Sequence, residues 1–214
     1  MSRAAEAPLQ ALLSDLRRCR LCRDAPLHGG PLPHEPRPVI QASATARLCI
    51  AGQAPGTRVH ASGRPFTDPS GVRLRVWLGL AEADFYDASR VAILPMNHCF
   101  PGLDSRGSDL PPRRECAPAW RARLFAAMPQ IELVLAIGRY AQLWHLGEDT
   151  PASLTETVAD WRAILSAPRR PRILPLPHPS WRNSGWLRRH PWFEAELLLV
   201  LRQEVARLVG PAPQ

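Results

Sequence analysis

Four short apolar runs, at residues 47–51, 91–96, 131–137 and 172–176, constrain this chain more than any other feature. Helical spacing recurs between and around them, at residues 8–18, 71–81, 113–128, 139–146, 155–165 and 191–209. Runs this short suit strands buried on both faces, and strands that alternate with helices pair in parallel. The expectation is an α/β chain: a three-layer α/β/α sandwich around a central four-stranded, mainly parallel sheet. No internal repeat or linker interrupts residues 1–214, so a single domain is expected.

Ligands of such sheets bind beyond the carboxyl ends of the strands, where loops from separate strands converge. Three loops there carry chemistry. After the first run comes GQAPGTRVHASGRPF, residues 52–66, in which glycines and a proline force a tight loop that exposes its backbone. After the second comes NHCFPG, residues 97–102, and after the last HPSWRNSGW, residues 178–186. Aromatic rings interleaved with arginine suit nucleic acid, because rings stack on bases while guanidinium groups hold phosphates.

Five cysteines punctuate the same framework. Cys19 and Cys22 form a Cys-x-x-Cys pair behind the first helix, Cys99 sits in the second loop, and Cys116 opens the following helix. Four thiolates in two groups can close around zinc or an iron–sulfur cluster, and spacing alone does not choose between them. Cys49 lies inside an apolar run and reads as core.

A net charge of +8 and a pI near 10.4, carried by arginine, point to a polyanionic partner. No apolar run reaches the length of a membrane helix, and the first residues read as an amphipathic helix rather than a signal peptide. A cytoplasmic monomer without membrane contact is expected.

These segments, taken together, resemble the uracil-DNA glycosylase superfamily over roughly residues 9–205, in particular its iron–sulfur branches, families four and five. GQAPG with GRPF resembles that superfamily's first motif and its stacking phenylalanine. HPSWR resembles its histidine-containing second motif, and Cys19, Cys22, Cys99 and Cys116 match the cluster ligands in order. The resemblance implies a uracil-DNA glycosylase-like fold and an enzyme that extrudes a damaged nucleotide into a pocket and hydrolyses its N-glycosidic bond. By the same resemblance Phe66 stacks on the base and His178 donates toward the base oxygen. Backbone amides of Gln53 and Ala54 place the base and the attacking water. Ser180, Trp181 and Arg182 engage the DNA, and a structural 4Fe–4S cluster occupies the four cysteines, with zinc as the alternative. The implied partner is DNA containing uracil or another deaminated base.

Departures from the pattern shift the comparison toward family five. Family four has an acid directly after the first motif glycine, where this chain has Gln53, and an asparagine four residues before the third cysteine, where it has Pro95. Asn97 is the nearest substitute for reading the base edge. Asp68, in FTDPSG, is the first candidate to replace the missing carboxylate, with His60 the second; helix capping by Asp68 is the competing reading. Two functions follow: a monofunctional glycosylase of uracil or related deaminated bases, or a catalytically weak protein that binds damaged or single-stranded DNA on the same fold.

Overall fold

The computed structural model describes residues 3–210, with side chains from residue 6 onward. Its strands are β1 (Leu48–Ala51), β2 (Val91–Ile93), β3 (Leu133–Ile137) and β4 (Arg172–Leu176). They form one sheet in the order β2, β1, β3, β4, and every neighbouring pair is parallel. Alternation along each strand divides the core. Cys49, Ala51, Ala92, Val134 and Ala136 face one side, whereas Leu48, Ile50, Val91, Ile93, Leu133 and Leu135 face the other. As the alternation predicts, helices cover both faces.

The helices, in chain order, are α1 (Arg3–Arg17), α2 (Leu21–Asp24), α3 (Thr57–Ser62), α4 (Pro69–Leu78), α5 (Glu82–Phe85) and α6 (Cys116–Ala127). They continue with α7 (Arg139–Leu146), α8 (Leu154–Ala159), α9 (Trp161–Ser166), α10 (Ser184–Arg189) and α11 (Leu198–Val209). Leu9, Leu13 and Leu16 of α1 pack with Trp120 and Leu124 of α6 on the first face. Leu74, Trp77 and Leu78 of α4 pack with Leu198, Leu201 and Val205 of α11 on the second.

Three expected elements are shorter or broken. β2 stops at Ile93 instead of residue 96, and past Pro95 strand alternation is lost, since the consecutive amides of Met96 and Asn97 both point to the loop after β1. The chain nevertheless stays bound to β1: Leu94 N–H donates to Ile50 O, Met96 N–H to Gly52 O and Asn97 N–H to Gln53 O, each at 2.9 Å. The helix expected over 155–165 divides at Asp160 into α8 and α9, so its two halves cover different parts of the β4 side. The last helix enters through a π turn, Phe193–Leu197.

Strand order fixes where a ligand sits. From β1 the chain crosses to β2 on one side and then returns past β1 to β3 on the other, which makes the carboxyl ends of β1 and β3 the switch point of the sheet. There Gly138, with φ of 79°, leaves the space that the Gln53 side chain fills; a Cβ on Gly138 would overlap the Gln53 amide nitrogen. The loop after β1 is thereby braced on both sides.

Candidate active site

A cavity of about 50 Å³ opens at this switch point. Its walls come from Gly52 to Gly56 after β1, Phe66 and Asp68 before α4, Pro95 after β2, and His178 after β4. Segments that follow β1, β2 and β4 therefore meet at one edge of the sheet. Among the described residues the amides of Gln53 and Ala54 donate to no other protein group, which leaves both for a ligand.

Phe66 is held in a costly conformation. With φ of 54° it is the only non-glycine residue of positive φ among those described. Its carbonyl accepts the Tyr86 hydroxyl at 3.1 Å, and the same hydroxyl reaches the Pro65 carbonyl at 2.9 Å. Gly71 makes the conformation possible, since a Cβ there would overlap the Phe66 carbonyl oxygen. The ring stands edge-on to Phe85, with centroids 6.1 Å apart, and its tip lies 3.4 Å from where a Gly52 Cβ would be. Phe66 is thus held as part of the cavity wall.

His178 lines the same cavity. Burial holds its pKa below the ordinary imidazole value, and the nearby Asp68 carboxylate only partly offsets this, so the ring is neutral at pH 7. Its carbonyl accepts Asn183 Nδ2 at 2.7 Å, which fixes the loop that carries it. Arg73 of α4 donates to Ser180 O at 3.0 Å and ties the same loop to α4. Asp68 does two things at once. Its Oδ1 accepts the Gly71 amide at 3.1 Å as the N-cap of α4, and it also lines the cavity.

The cavity opens into a cleft of about 850 Å³, large enough for a nucleotide and its neighbours. Arg58, Arg73 and Arg182 line it together with Ser180 and Trp181. Trp181 is 74% exposed, and the Arg182 guanidinium lies 6.0 Å from its ring. The HPSWR loop thus sets an exposed indole beside a guanidinium on the cleft wall.

The sequence model of the uracil DNA glycosylase superfamily matches residues 40–202, more than half of the chain. The chain belongs to that superfamily. Membership carries a DNA glycosylase-type function, hydrolysis of an N-glycosidic bond in DNA during repair. DNA is accordingly the partner class, and among the described residues no helix is long and apolar enough to cross a membrane.

Two expected residues lie elsewhere in this glycosylase-family fold. Asn97 does not line the base cavity. It is fully buried beside the cysteines and donates from Nδ2 to Cys99 O at 2.7 Å. Pro95 takes the wall position instead, because the chain leaves strand geometry there and the next two residues turn inward. His60 packs against His34 and Phe100, with ring centroids 4.4 and 5.6 Å away, while its neighbour Val59 lines the cavity. Residues one apart on a helix point about 100° apart, and α3 turns Val59 inward.

Cys19, Cys22, Cys99 and Cys116 line one small space with Leu16, Leu32 and Trp120. α1, α2 and the loop after β2 meet there at the start of α6. Burial pushes the Cys22 thiol up to about 11 and Cys99 up to about 12, and raises Cys116 further. Such thiols ionise only against a cationic centre that takes the place of their protons. Among the described residues no three His, Cys, Asp or Glu side chains converge as ligands of one metal ion. Four cysteines that line one space form a donor set of the kind that suits zinc or an iron–sulfur cluster. Cys49 is apart from them, wholly buried in β1.

Proposed function

We propose that this protein is a monofunctional DNA glycosylase that releases uracil or a related deaminated base and leaves an abasic site. The observation that carries the reading is the meeting of Phe66, His178 and the Gln53–Ala54 amides around one cavity at the mouth of an arginine-lined cleft. In this reading the evicted base lies against Phe66, and its edge meets the two backbone amides. The C1′–N bond breaks toward an oxocarbenium-like sugar, and the negative charge arriving on the base is stabilised by the N–H of a neutral His178. Trp181 and Arg182 occupy or prop the gap in the stack.

Pro95 gives the cavity wall no side-chain amide at the position where family four has asparagine. The base edge is then read mainly by backbone, and tolerance of several deaminated bases is expected. The test is incubation with oligonucleotides containing uracil, hypoxanthine or xanthine, followed by alkali. Strand breaks at one or more modified positions support the enzyme. Tight binding with no free base supports the alternative, a damaged-DNA-binding protein.

Cys19, Cys22, Cys99 and Cys116 are proposed to hold a 4Fe–4S cluster whose role is structural. When bound, it supplies a covalent tie between the amino-terminal helices and the loop after β2. Protein purified without oxygen is expected to be brown, with broad absorption near roughly 400 nm from sulfur-to-iron charge transfer and about four irons per chain. Colourless protein with one zinc per chain overturns the cluster and leaves the zinc alternative.

A further inference from the structure

Hydrolysis of a glycosidic bond needs a group near the sugar carbon to orient water and steady the positive charge that builds there. The first motif offers no acid, since Gln53 follows Gly52, and Asp68 already spends Oδ1 on the Gly71 amide. With the base in the inner cavity, its sugar lies at the mouth, where the cavity joins the cleft. Among the described residues two carboxylates line that cleft, Asp68 and Asp109.

Asp109 is aimed by the turn that carries it. Asp104 accepts the amides of Arg106 and Ser108 at 2.9 and 2.8 Å, Leu103 and Asp109 form an antiparallel bridge, and Leu110 N–H donates to Gly102 O at 2.9 Å. The closed turn lays the Asp109 carboxylate over the first motif. Its Oδ2 comes 3.0 Å from where a Cβ on Gly56 would be, a space that glycine leaves open. Among the described residues no hydrogen bond engages that carboxylate, unlike the one on Asp68. Partial burial raises the Asp109 pKa and the Asp68 charge adds to this, while Arg182 pulls it back. A carboxylate that no other protein group engages is free to hold a water, and its raised pKa makes it a better proton acceptor than an unperturbed aspartate.

We propose that Asp109 is a further catalytic residue, the base that holds the attacking water at the cavity mouth. The assignment rests on the glycosylase reading above. Water oxygen bonds to C1′ as the C1′–N bond breaks, and the bonding pair leaves with the base, whose charge His178 steadies. The water proton passes to Asp109 and from there to the departing base, which restores the carboxylate.

The experiment compares wild type with Asp109→Asn in single-turnover base release across pH, together with binding to uracil-containing DNA. The substitution is expected to slow release by about 10²-fold or more. The wild-type rate should fall as pH drops through the raised Asp109 pKa, and the variant should lack that acid limb. DNA affinity should stay level or rise, because a negative charge has left an anion-binding cleft. A merely structural role would weaken binding and keep the limb. Wild type that releases base, with a variant of equal rate and the same acid limb, overturns the assignment of Asp109. Wild type that frees no base from any of the three substrates overturns the glycosylase reading itself, and this assignment with it.

Discussion

Replacing His178 with alanine is expected to slow base release by about 10²–10³-fold, the usual cost of removing one preorganised donor from a developing anion. The size follows from where the side chain stands. Among the described residues it is the only imidazole lining the inner cavity, which Phe66 lines too, and its loop is pinned by Asn183 and Arg73. A donor that is already oriented costs no reorganisation when the charge arrives. Burial keeps its pKa below the free imidazole value, so the ring donates as a neutral N–H and its protonation begins only below that range. A pH–rate profile should therefore show no limb at about 6.5, the ordinary histidine value. DNA affinity should barely change, because the residues proposed to contact the strand are Trp181 and the arginines of the cleft. Base release by His178→Ala at the wild-type rate would remove the histidine from the reaction.

The sheet and its layers are legible in the sequence because buried parallel strands write themselves as uniform apolar runs, and all four runs become neighbours. The joint presence of GQAPG, GRPF and HPSWR also foretells one shared cavity, since loops after different strands converge only at the carboxyl edge. What is hidden depends on where the regular geometry ends. Asn97 would share a face with Pro95 if β2 ran on, but the strand stops at Ile93 and the asparagine turns toward the cysteines. His60 and Val59 are adjacent in sequence, and only the orientation of α3 decides which enters the cavity. Asp109 lies in a polar turn with no periodicity to place it. Tyr86 carries no signal at all, because its hydroxyl acts on the backbone of a segment twenty residues earlier.

That backbone hold makes Gly71→Ala the most damaging single methyl that this site can receive. The added carbon would overlap the Phe66 carbonyl oxygen, a main-chain atom that no rotamer change can move aside. Either the start of α4 or the Phe66 peptide must shift. The first loses the Asp68 cap on Gly71, and the second loses the Tyr86 hydroxyl bond. Overpacking plus one of these bonds is expected to cost about 3–5 kcal/mol. For a chain of this size that lowers Tm by roughly 10 °C. Gly185→Ala is the control, because its Cβ meets nothing nearer than Arg188 Nη2 at 3.9 Å within α10, where alanine is the better helix former. Thermal melts of both variants decide the matter. If they melt together, the close approach beneath Phe66 is not what holds the ring. If Gly71→Ala melts well below the control, base release measured below its melting point should also fall, since the Phe66 ring and the cavity wall it forms depend on the same carbonyl.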